Sequence, residues 1–85
     1  MDFARIVSFH RRRAGLSRVQ LAGLAGVGKT VIFDIEHGKD TVRLATLLRV
    51  LTALNVHLDW SSPLRAAYDA EPAAPDRALP PEDGA

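Results

Sequence analysis

Phe3, Ile6, Val7, His10 and Arg11 recur at i, i+3, i+4, i+7 and i+8, the spacing that aligns side chains on one face of an α-helix. The pattern predicts a first helix that ends at Gly15, with Phe3, Ile6 and Val7 in the core. Ser17 suits the N-cap of a second helix, with Leu21 and Leu24 on its inner face. Gly26 follows as a left-handed stop. A third helix is predicted from near Gly28 through Ile32 and Ile35 to His37, with Gly38 ending it. Thr41 can cap a fourth, whose inner stripe reads Leu44, Leu47, Leu48, Leu51 and Leu54, and Asn55 ends it.

The period then changes. In NVHLDW, Val56, Leu58 and Trp60 alternate with His57 and Asp59, the period of a half-buried strand, and Ser61, Ser62 and Pro63 close it. No other segment of the chain reads as a strand. A lone strand leaves its backbone groups unmet, so its expected partner is the same strand of a second subunit. A short fifth helix starting near Asp59 is the alternative.

Eighty-five residues make one small domain, and 47% hydrophobic content supports a modest core. The chain has no cysteine, which excludes disulfides and thiolate metal sites. His10, His37 and His57 lie far apart, without ligand spacing, so no metal or cofactor is implied. No apolar run approaches the roughly 18 residues of a membrane span. MDFARIVSFHRRR places its charges after its apolar residues, the wrong order for a signal peptide. A soluble, cytoplasmic protein with no membrane partner is expected.

Charge divides the chain. Residues 1–60 carry nine Lys/Arg against five Asp/Glu, and residues 61–85 carry two against five. EPAAPDRALPPEDGA, the last fifteen residues, holds four of the five prolines. The expected organisation is a basic domain over 1–60 and a mobile acidic tail over 61–85. A basic domain suits a polyanionic partner.

GLAGVGKT, Gly23 to Thr30, fits the phosphate-cradling pattern G-x-x-x-x-G-K-[ST] at Gly23, Gly28, Lys29 and Thr30. A working loop of that kind follows a buried strand, and here SRVQLA reads as a capped helix. The chain is also too short to enclose a nucleotide-binding sheet. The glycines are expected to serve helix packing and a turn. With no paired carboxylates or nucleophile–base set, an enzyme is not expected.

The wider segment LSRVQLAGLAGVGKTVIFDIEHG, Leu16 to Gly38, resembles the helix-turn-helix of the Xre and phage-repressor family. The resemblance implies an all-α, lambda-repressor-like domain of four to five helices, to which the alternation of residues 55–60 adds a short C-terminal strand expected to pair in a dimer. Ala22 stands where the family needs a small residue, Gly26 at the turn and Val27 as its plug, while Ile32 and Ile35 anchor the recognition helix. Arg11 and Glu36 stand where the family often has a buried ion pair.

A recognition helix presents its N-terminal residues to base edges, which selects Gly28, Lys29, Thr30 and Phe33. Lys29 can donate to guanine, Thr30 can donate, accept or touch a thymine methyl, and an outward Phe33 can pack on thymine methyls. Asp34 is less suited, though it could accept from cytosine. Arg18 stands where the family usually has glutamine and is expected to clamp phosphate, as are Lys39 and Arg43. Arg12 and Arg13 read as a solvated face.

GKDTVRLATLLRVLTALNVHLDW, residues 38–60, resembles HipB-like antitoxins. The resemblance implies a homodimer, joined through Val56, Leu58 and Trp60, that represses its own operon at a palindromic double-stranded operator and neutralises a HipA-like kinase toxin. The DW pair departs towards phage repressors, which continue as a fifth helix. A stand-alone repressor without a toxin, or an adaptor that has lost DNA binding, are the other readings.

Overall fold

The computed structural model describes residues 1–72, in which five helices and no strand are found. They are α1 (Phe3–Arg13), α2 (Arg18–Ala25), α3 (Lys29–Glu36), α4 (Leu44–Ala53) and α5 (Arg65–Ala70). None of them is long and apolar enough to cross a membrane.

Asp2 caps α1 by accepting from the Arg5 amide at 3.0 Å, and four basic residues, His10 to Arg13, occupy its last turn, where the helix dipole favours them. Ser17 caps α2 reciprocally. Its hydroxyl accepts from the Gln20 amide at 3.0 Å, and the Gln20 side chain accepts from the Ser17 amide at 2.8 Å. Gly26 ends α2 at φ 71°, and its neighbour Val27 donates back to the Ala22 carbonyl at 3.0 Å. That left-handed turn re-aims the chain into α3.

α3 packs against α1 and α2, and α4 packs against α2. Between them lies one core of Val7, Leu21, Ala22, Ile32, Ile35, Leu47, Val50 and Leu51. Phe3, Ile6, Val27, Leu54 and Val56 pack against it, each partly buried.

Several expected positions differ. The inward register of α4 is Leu47, Val50, Leu51 and Leu54, so Leu48 is turned about 100° off that stripe and is 41% exposed. Leu44, at 64% exposure, opens onto a surface hollow with Met1, Phe3 and Val42. In α2, Leu21 and Ala22 take the inner face and Leu24 stays 65% exposed. Thr41 does not cap α4. Arg43 occupies the N-cap place without a side-chain cap bond. Asn55 does end α4, in the left-handed region at φ 59°.

Residues 56–62 form neither strand nor helix, and the fifth helix begins at Arg65 rather than near Asp59. A strand needs a ladder partner, and the described residues of one chain contain none. Trp60 instead meets Tyr68 of α5 edge-to-face, with ring centroids 5.0 Å apart. Arg65 lies 4.4 Å from the Trp60 ring centre and pairs with Asp59 at 2.9 Å and Asp69 at 3.0 Å. Its hydrogen bonds hold Asp59 below the ordinary value of 3.8. A helix thus occupies the start of the segment expected as a tail, and residues 73–85 of that segment lie outside the described residues.

Candidate nucleic-acid interface

α3 has two unlike sides. Ile32 and Ile35 are buried, while Lys29, Thr30 and Phe33 face outward. Gly28 is the N-cap of α3 at φ −76° and ψ 152°, and no side chain closes this helix start. Lys29, Thr30 and Phe33, together with Arg11, Ser17, Arg18 and Val19 from the other side, line an open hollow of about 580 Å³. The starts of α2 and α3 therefore face one shared concavity.

The letters of the phosphate-loop pattern take other conformations here. Gly23 is inside α2 and Gly28 precedes α3, so a helix stands where a strand would be needed. Close packing does not require glycine at either place, contrary to expectation. A Cβ on Gly23 or Gly28 would meet nothing within 4 Å. Only Gly26, with its positive φ, has a conformational need for glycine within this motif.

Behind the hollow lies a charged cluster. Arg11 donates from Nε to Glu36 Oε2 at 2.5 Å and from its NH2 group to Oε1 at 3.1 Å. Its NH1 group donates to the Leu16 carbonyl at 3.0 Å, tying the α1–α2 connection to the end of α3. Glu36 has a side chain only 3% exposed. Burial pushes its carboxyl up, but the hydrogen bonds and charges of Arg11 and Arg18 outweigh this and hold it below the ordinary value of 4.5.

Sequence reasoning missed Arg18 as a member of this cluster. Its Nε donates to Glu36 Oε1 at 3.0 Å, and its guanidinium stands 5.5 Å from the centre of the Phe33 ring. Phe33, 46% exposed, stacks in turn on His37 at 3.8 Å, and a His37 ring nitrogen meets the Phe33 carbonyl at 2.7 Å. No spacing signal could have found it, because Arg18 lies on another helix, 18 residues from Glu36 in sequence.

Other sites lie apart. Lys39 pairs loosely with Asp34 at 3.5 Å, and Arg43 is exposed at the start of α4. Arg12 bonds Ser8, and Arg13 covers Phe9 at 4.6 Å. Val56 packs on the core, whereas Leu58 and Trp60 are exposed at 38% and 47%.

A family model described as helix-turn-helix matches residues 10–61, more than half of the chain. The chain is also 37% identical, over 62 residues, to an uncharacterized HTH-type transcriptional regulator, y4mF, of Sinorhizobium fredii, covering 73% of this chain and 82% of that protein. The matched span takes in α2, the Gly26 turn and the two-sided α3, set in an all-α, lambda-repressor-like fold, and the chain belongs to the Xre-type helix-turn-helix family.

Proposed function

We propose that this protein is a sequence-specific DNA-binding transcriptional repressor that binds a palindromic operator as a homodimer. The observation that carries this reading is the outward face of α3, where Lys29, Thr30 and Phe33 stand exposed around one hollow while Ile32 and Ile35 anchor the helix in the core. Lys29, Thr30 and the backbone at Gly28 read base edges, and Phe33 packs on thymine methyls. Lys39 and Arg43 hold phosphates on the flank.

A single recognition helix reads too few base pairs to select a genomic site, which favours a two-fold dimer. The exposed apolar residues Leu58, Trp60, Leu64 and Tyr68 supply a surface that a second copy would cover. The likeness of residues 38–60 to HipB-like antitoxins supports a further role, neutralising a HipA-like kinase toxin. A stand-alone repressor shares the same DNA chemistry, and co-purification with the product of the neighbouring gene separates the two.

Selection of duplexes from a random pool by the full chain tests DNA reading. A palindromic consensus is expected. Lys29→Ala should cost about 1–3 kcal/mol on that consensus and relax the preference at one base pair. Unchanged affinity and preference in Lys29→Ala would remove it from the reading set.

A further inference from the structure

Arg18 is placed unlike a clamp on the flank. It opens onto the same hollow as Lys29, Thr30 and Phe33. Its plane is fixed twice, by the Nε bond to Glu36 and by the face of Phe33. Its terminal NH1 and NH2 groups have no hydrogen-bond partner among the described residues. Of five N–H donors in a rigid fork, four therefore remain unpaired, on a side chain that is 40% exposed at the hollow.

The guanidinium fork fits phosphate bidentately as it fits a base edge, so what separates the two is net charge at the contact. Here the charge is partly offset by the Glu36 carboxylate, while the orientation is set in advance. That combination weakens a phosphate clamp and suits a planar, two-point acceptor. Guanine offers such an acceptor in O6 and N7 on the major-groove edge.

We infer that Arg18 is a specificity-determining residue that reads a guanine through O6 and N7, with Phe33 against the C5 methyl of a neighbouring thymine and Glu36 as the positioning residue. The inference rests on the DNA-reading function proposed above. Arg18 and Phe33 act as one unit on a step that joins a methyl-bearing pyrimidine to a guanine. Because Glu36 also bonds Arg11, the reading edge is referenced to the core rather than to a loop.

The test uses the consensus duplex selected by the full chain from a random pool, with each guanine in turn replaced by 7-deazaguanine and each thymine by uracil. One guanine position should weaken wild-type binding about tenfold when N7 is removed. Arg18→Lys, which keeps the charge, should lose selectivity at that same base pair, keep its salt dependence, and show no further loss with 7-deazaguanine. Uracil at the adjacent position should weaken the wild type and leave Phe33→Ala unaffected. If selection yields a consensus but no 7-deazaguanine matters, or Arg18→Lys keeps wild-type preference and only the salt slope responds to Arg18→Gln, Arg18 is a phosphate contact and the inference fails alone. If selection yields no consensus, the inference and the DNA-reading proposal fall together.

Discussion

Glu36 accepts three N–H groups on two oxygens while its side chain is almost sealed from water. Removing its charge strands Arg11, whose side chain is only 12% exposed. Glu36→Gln should therefore lower stability by about 3 kcal/mol, the low end for a buried pair that loses one partner, because Arg11 keeps its bond to the Leu16 carbonyl. Urea unfolding measures this, and a loss below half that size would show the pair to be solvated. The direction of the Glu36 shift also fixes a pH dependence. The folded carboxyl lies below 4.5 and the unfolded one near it, so its stabilisation is complete above 4.5 and drains as pH falls through the folded value. Thermal melts should show a steep acid limb in the wild type below that pH, and a shallower one in Glu36→Gln. The Arg11–Glu36 placement was legible from the family resemblance, and both residues fall on inward helical stripes. The third member was not, because Arg18 begins a helix and a long side chain there can swing to either neighbour.

Two glycines three residues apart have opposite requirements. Gly23 lies within α2 beside open space, so Gly23→Ala should stabilise by about 0.5–1 kcal/mol through reduced unfolded-state freedom. Gly26 also has room for a Cβ, yet its φ of 71° should make Gly26→Ala destabilising by about 1–2 kcal/mol from backbone strain alone. Equal signs in chemical denaturation would contradict this account of the turn. Four of the helices were readable from apolar spacing, and their limits from Ser17, Gly26 and Asn55. The inner face of α4 was read less well. Six leucines and valines lie within Leu44–Leu54, and spacing alone admits more than one stripe. Neighbouring helices decide for Val50 and against Leu48. A fifth helix was read only as the alternative to a strand and was placed near Asp59, because Arg65–Ala70 has no buried side chain to impose a period. So short a helix is marginal unaided, and Arg65 ties it to residues 59 and 60. Arg65→Ala should free Trp60, the only tryptophan, and increase its quenching by acrylamide. Unchanged quenching would mean that α5 is held in some other way.

At the scale of the whole molecule, the apolar surface and the reading surface are separate in the chain. Leu58 is 38% exposed, so Leu58→Asp should leave the monomer folded while abolishing self-association and weakening binding to the palindromic consensus. Sedimentation equilibrium decides. A wild-type chain that stays monomeric at concentrations where the consensus is bound would remove the dimer from the proposal. The shared carboxylate of Glu36 has a consequence for redesign. A common way to retarget a DNA reader is to transplant the outward residues of its recognition helix and leave the rest alone. Here that graft would be incomplete, since the fork at position 18 belongs to α2, takes its bearing from the last residue of α3, and shares that residue with the helix behind. Residues 11, 18, 33 and 36 form a cassette that must move together, and a donor scaffold lacking any one of them would inherit the letters of this surface without its aim.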